Sequence, residues 1–176
     1  GNNIALLFVS GSNQVGTTEI GLGQVLSTNL AANTQYTLSV EVGNIGSGTG
    51  TFDLSGFPGY RIELLAGGNV LVDDLELTDS PIGEDVFQTR NLTFSTGANP
   101  LFLDQALEIC LFNLNISDNS NGTALEVNFD NIRLDAVSTV PGPASLPLMS
   151  SGIGLLGYLR WRRKRKGDTY SATDES

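Results

Sequence analysis

The sequence contains no histidine, and this absence limits the chemistry that the chain can perform. Ser-His-Asp and Cys-His catalytic devices need an imidazole, and the common zinc sites use histidine or several cysteines. A single cysteine, Cys110, excludes an internal disulfide. Its apolar neighbours Ile109 and Leu111 favour a small buried side chain over a thiol that dimerises the chain.

Positive charge is scarce over most of the chain. Before residue 140 there is no lysine, and Arg61, Arg90 and Arg133 stand against sixteen acidic residues, a net charge of −13. Such a surface repels a phosphate backbone, so we expect no nucleic acid partner. The one tryptophan, Trp161, lies beyond this region. Its position argues against a sugar site built on an indole ring, because sugar sites favour exposed flat rings.

Residues 1–137 show the pattern of an all-β fold. Strict alternation of apolar and polar residues over 36–42 predicts a half-buried strand, and two alternating segments joined by 67–69 predict a hairpin. Apolar residues change parity at Asp130-Asn131, which predicts a β-bulge in the strand 125–134. With about eight such strands and no amphipathic helix, we predict one extracytoplasmic antiparallel β-sandwich, a jelly roll, over residues 1–137.

Two segments, 59–64 and 127–134, resemble strands of carbohydrate-binding-type jelly rolls, whose final strand carries an F-D-[DN]-[VI]-x-L pattern. The resemblance implies a structural Ca²⁺ ion held by Asp130 together with backbone carbonyls near the strand end. The alternative is that Asp130 or Asn131 caps the bulge through local hydrogen bonds.

Three aromatic residues, Phe57, Tyr60 and Phe102, flank predicted loops and are our candidates for a ligand-binding platform. The alternative is that they plug the ends of the sandwich. The segment 73–85 carries six carboxylates, and we interpret it as a solvated acidic connection between strands.

The C-terminal quarter has a different pattern. A proline-bounded linker, 138–143, is followed by an uncharged apolar segment, 144–159, and a region that begins with a basic cluster, 160–176. As a helix the apolar segment spans about 24 Å, a little short of the roughly 30 Å of a hydrocarbon core. We predict a transmembrane helix over 144–159, with 160–176 as a cytoplasmic tail, since basic residues favour the cytoplasmic side.

This tail resembles the PEP-CTERM sorting signal of exported bacterial proteins, through 140–145, 152–158 and 160–166. The predicted sorting-signal residues are Val140, Pro141, Gly142, Pro143, Arg160, Arg162, Arg163, Lys164, Arg165 and Lys166. The resemblance implies an exosortase-type membrane protease as partner and a transient membrane anchor. Gly142 replaces the usual glutamate, and 167–176 extends past the basic cluster where the signal normally ends. An ordinary anchor or an interfacial helix is the alternative.

From these features we predict an exported, non-enzymatic surface or extracellular-matrix protein that is first anchored in the inner membrane. No secretion leader is visible at the start of the sequence, so we expect that N-terminal sequence is missing. The expected task is to bind or organise extracellular polysaccharide. Two alternatives stay open: a purely structural or adhesive matrix protein, and a carbohydrate-active enzyme that uses a carboxylate pair.

Overall fold

The computed structural model describes residues 4–9, 18–44, 56–77, 82–116 and 125–140, and all the regular structure in these residues is β. The eight strands are β1 (Ala5–Val9), β2 (Ile20–Asn29), β3 (Thr34–Asn44), β4 (Tyr60–Ala66), β5 (Asn69–Glu76), β6 (Val86–Ser95), β7 (Ala106–Asn113) and β8 (Leu125–Ser138). They form two antiparallel sheets, in the orders β1-β8-β3-β6 and β2-β7-β4-β5. This is the strand order of a jelly roll wound as two Greek keys. The predicted all-β antiparallel sandwich is confirmed.

The core lies between the two sheets and follows from the period of two along each strand. On β3 the predicted face is buried: Tyr36, Leu38, Val40 and Val42 all belong to the core. Side chains on the opposite face of β3 are more exposed, as at Gln35, Thr37 and Glu41. β7 lies between β2 and β4, so it is an interior strand of its sheet, as its dense apolar pattern predicted.

A β-bulge interrupts β8. Where the pairing on β3 advances by two residues, from Ser39 to Glu41, the partner on β8 shifts by three, from Arg133 to Asp130. The extra residue is accommodated by a left-handed backbone at Asn131, whose φ is 51°. Asparagine tolerates this conformation better than most residues. The bulge predicted from the parity change is therefore confirmed.

The acidic segment 73–85 is not a loop throughout, and this part of the prediction was wrong. The strand β5 continues to Glu76, and Asp73 and Asp74 lie within it, paired with β4. Asp74 is half-buried, and the Tyr60 hydroxyl donates a hydrogen bond to its Oδ2 at 2.9 Å. A partner on the neighbouring strand of the sheet is not visible in the local charge pattern.

The chain divides into two units, residues 1–139 and 140–176. Of the second unit the structure describes only Val140, which is exposed. The other predicted sorting-signal residues, the helix over 144–159 and the tail over 160–176 lie outside the described residues, and they stay predictions. In the part of the chain that the structure describes, no helix is long and apolar enough to cross a membrane.

Candidate functional site

A pocket of about 710 Å³ lies between the two sheets, on the side where β1 and β2 are the edge strands. Its size is typical of sites for small organic molecules. Nine of the twelve residues that line it are apolar. The lining residues are Ile4, Ala5, Leu22, Gln24, Leu26, Ile109, Leu111, Phe129, Asp130, Asn131, Ile132 and Leu134.

One wall of the pocket is formed by β2 and β7. Leu22 pairs with Leu111, and Gln24 pairs with Ile109, so these side chains share the inward face of the sheet. Leu111 is 3% exposed, whereas its neighbour Leu22 on the edge strand is 50% exposed. An inward-facing leucine with that much free surface offers a ligand apolar area to cover.

The other wall is formed by β8 and the start of β1. Phe129 is fully buried and pairs with Ala5 at the base of this wall. Beyond Phe129 the alternation fails, because the bulge places the consecutive residues Asp130, Asn131 and Ile132 along the pocket. A bulge beside a site commonly redirects a side chain that regular pleating would turn away.

Asp130 is the one ionisable residue among the described residues that line the pocket. Its Oδ1 accepts a hydrogen bond of 2.7 Å from the backbone N–H of Asn131. The Asn131 side chain donates through Nδ2 to Oε1 of Glu41, on the neighbouring strand, at 3.3 Å. Of these two contacts, the one from the Asn131 N–H orients the Asp130 carboxyl group beside the bulge.

The calcium prediction for Asp130 stays a prediction. The Asn131 N–H contact is the local hydrogen bond that the alternative reading of Asp130 required. Within the described ranges, no group of three or more histidine, cysteine, aspartate or glutamate residues lies close enough together to hold a metal ion. Backbone carbonyl ligands, which the prediction also invoked, fall outside that criterion.

The three predicted platform residues are not brought together. Phe57 and Tyr60, 1% and 0% exposed, lie in the core with their rings in edge contact, 6.1 Å between centroids. Phe102 lies in the turn between β6 and β7 and is 38% exposed. A fully buried ring has no free face for a ligand, so Phe57 and Tyr60 act in packing.

Tyr60 also carries a strongly perturbed hydroxyl group. Burial raises the pKa of the Tyr60 phenol well above its ordinary value, and the hydrogen bond to Asp74 raises it further. The hydroxyl therefore stays protonated and donates to Asp74 across the range in which proteins are usually studied.

Sequence reasoning missed the pocket, although one signal for it is present. Ile20, Leu22 and Leu26 of β2 alternate as core residues should, but Gln24 occupies the same inward parity. A polar side chain on an apolar inward face is the pattern that a binding wall shows. The pocket lies where two edge strands, β1 and β2, leave the side of the sandwich open. Local alternation of apolar and polar residues does not determine which strands become edge strands.

The described residues thus form an eight-stranded jelly-roll sandwich with an apolar pocket between its sheets, and Asp130 is the one acidic residue among those that line the pocket. The family model for HpiC1-like proteins, described as HpiC1 cyclase, matches residues 1–135. The chain belongs to this HpiC1-like family. A comparison with curated protein sequences gives no match.

Three solved structures show the same relationship. The apo form of a cyclase from Fischerella sp. is 38% identical, with a TM-score of 0.66, over 77% of this chain and 64% of that one. A cyclase from Fischerella sp. TAU in complex with 4-(1H-indol-3-yl)butan-2-one is 39% identical, with a TM-score of 0.65, over 77% and 65%. The Stig cyclase Fisc from Fischerella sp. TAU, in complex with (3Z)-3-(1-methyl-2-pyrrolidinylidene)-3H-indole, is 38% identical, with a TM-score of 0.66, over 77% and 64%. This chain spans about 64% of the length of these cyclases.

The prediction of a non-enzymatic matrix protein that organises polysaccharide was wrong, because the family is one of cyclases. Histidine devices and carboxylate pairs serve hydrolysis, and neither is required to close a ring within one bound molecule. The absence of such devices from the sequence is therefore compatible with a cyclase.

Proposed function

We propose that this protein is a cyclase that binds a small apolar substrate with an indole-type ring in the pocket between the sheets. The observation that carries the proposal is the pocket lining, nine apolar residues with a single carboxyl group. Both ligands named for the Fischerella sp. TAU structures contain an indole skeleton. A flat aromatic ring of that size fits a volume of about 710 Å³ with room for a side chain.

The apolar walls supply binding and orientation. A cyclisation joins two atoms of one molecule, and a flexible chain rarely brings those atoms together by itself. Holding the chain folded against the exposed apolar residues of the pocket, Ile4, Leu22 and Ile132, removes that conformational freedom before reaction. Correct positioning is among the largest contributions an enzyme can make. The same walls exclude water, which strengthens the electrostatic effect of a nearby polar group.

Asp130 is the group that we assign to proton transfer. A ring closure that isomerises its substrate consumes no reagent, so a proton given to one atom must be recovered from another. One carboxyl group can perform both steps in turn, as a general acid and then as a general base. Its Oδ1 is held by the Asn131 N–H at 2.7 Å, which fixes the direction of the group.

Two measurements test the proposal. Calorimetry measures binding of 4-(1H-indol-3-yl)butan-2-one to the protein, and NMR follows ring closure of an indole that carries an unsaturated side chain. We expect Asp130→Asn to retain binding and to lose turnover by about 100-fold or more. The matched control is Asp135→Asn, the same change on an exposed residue of the same strand outside the pocket, which leaves turnover unchanged. A wild-type protein that does not bind the ketone would overturn the proposal.

The cellular location is a separate proposal that rests on the sequence of 140–166 alone. We propose export, transient anchoring in the inner membrane by 144–159, and release by an exosortase-type protease. Mass spectrometry of the mature protein from its own cells tests this. A mature chain that still ends at Ser176 would contradict it.

A further inference from the structure

We infer that Gln24 forms a hydrogen bond with the substrate and so determines which way the substrate lies in the pocket. The inference rests on the proposed function and adds a specificity-determining residue to it. Its basis is the position of one amide in a wall that is otherwise aliphatic.

The pairing of β2 with β7 fixes the face on which Gln24 lies. Its direct partner is Ile109, and two residues away Leu22 pairs with Leu111. Ile109 and Leu111 belong to the buried core, and directly paired residues share a face of the sheet. Gln24 therefore faces the space between the sheets and not the outer surface, with Leu26 next to it on the same face.

An aliphatic residue would serve this position better if the wall only filled space. Among the residues that the structure describes, none hydrogen-bonds to the Gln24 side chain. While the pocket holds water, the amide is solvated. An apolar ligand that displaces the water removes those hydrogen bonds, and covering an amide without replacing them is unfavourable. The pocket thus selects a ligand with a polar group opposite Gln24.

A ring N–H is the group that fits. The amide has one acceptor oxygen and two donor hydrogens, so Oε1 can accept from a ring N–H. Asp130 lies on β8, the facing wall of the same pocket. A substrate anchored by its N–H at β2 would present the rest of its skeleton toward the Asp130 carboxyl group. Gln24 would then fix the orientation that proton transfer from Asp130 requires.

The test uses two probes that differ at one position, 4-(1H-indol-3-yl)butan-2-one and its N1-methyl analogue. Calorimetry measures the Kd of each probe with the wild-type protein and with Gln24→Leu. We expect the wild type to prefer the N–H compound by about tenfold, since a site built for a hydrogen bond rejects the analogue that lacks it. Gln24→Leu should bind both compounds within about twofold of each other.

The control is Gln35→Leu, which makes the same chemical change on an exposed residue of β3 outside the pocket and keeps the wild-type preference. Should Gln24→Leu fail to fold, Gln24→Met repeats the test with an unbranched side chain of similar length. A wild type that binds both compounds equally, or a Gln24 variant that keeps the tenfold preference, overturns the inference alone. A wild type that binds neither compound overturns the proposed function and, with it, this inference.

Discussion

The left-handed backbone at Asn131 offers a sharp test of how the bulge supports the site. Asn131 has a φ of 51°, and its backbone N–H donates to Asp130 Oδ1 at 2.7 Å. A residue other than glycine or asparagine pays about 1–2 kcal/mol to adopt this conformation, and a β-branched residue is the least suited to it. We therefore predict that Asn131→Val destabilises the protein, whereas Asn131→Gly leaves the backbone relaxed.

The magnitude follows from the conformation alone. The Asn131 side chain also donates to Glu41, but at 3.3 Å and exposed to solvent this contact contributes little. A loss of about 1–2 kcal/mol corresponds to a fall in Tm of roughly 2–8 °C for a chain of this length. Turnover of Asn131→Val should also fall, by up to about 100-fold, because a shift of about 1 Å at a reacting group can lower the rate by that much.

Thermal and urea unfolding of both variants, with turnover measured at a temperature where both are folded, checks this prediction. The expected result is a loss of stability and rate for Asn131→Val, and nearly wild-type behaviour for Asn131→Gly. If the two variants lose equal stability, the left-handed conformation is not what constrains this position. If Asn131→Val loses stability but keeps its rate, the bulge does not position Asp130.

Three further outcomes are expected. Because the pKa of Tyr60 is raised, the stability that its protonated hydroxyl contributes is present below about pH 10, the ordinary tyrosine pKa, and is lost as the pH rises above that value. Tyr60→Phe should lower the free energy of unfolding by about 1 kcal/mol at neutral pH and make Tm depend less on alkaline pH. Burial, and to a lesser extent the nearby Glu108 carboxylate, raises the pKa of the Cys110 thiol from 9.0 to about 11. Alkylation of Cys110 at neutral pH should therefore be about 100-fold slower than that of a free cysteine peptide, and labelling at the peptide rate would contradict this. If Asp130 holds calcium, EDTA should lower the Tm of the wild type and leave that of Asp130→Asn unchanged; an equal fall in both would place any calcium elsewhere.

Much of the fold could be predicted because strand patterning is local. The alternation at Tyr36, Leu38 and Val40 identifies an inward face without reference to any other strand, and these residues form the core. The bulge near Asp130 was predictable for the same reason, since the change of parity lies within one segment. The fold class was predictable, because an antiparallel sandwich is the general solution for eight such strands, but the order of the strands within each sheet was not.

The site could not be predicted in the same way, because it depends on contacts between segments distant in sequence. Gln24 and Asp130 are 106 positions apart, and only the strand order brings β2 and β8 to opposite walls of one pocket. Asp74 was assigned to a loop because its partner, the Tyr60 hydroxyl, is equally invisible in the local pattern. The burial of Tyr60 likewise depends on Phe129 of β8, which packs edge-on against its ring from a distant part of the sequence.

The absence of histidine excludes less than it first suggests. Hydrolysis of a strong bond needs an activated nucleophile and a stabilised oxyanion, which several polar groups must supply together. Ring closure within one molecule needs a folded reactant and, at most, a proton delivered and recovered. Shape supplies the first requirement and a single carboxyl group supplies the second. The proposed site has nine apolar residues and one aspartate, so the absence of histidine excludes histidine-dependent chemistry and leaves the proposed ring closure open.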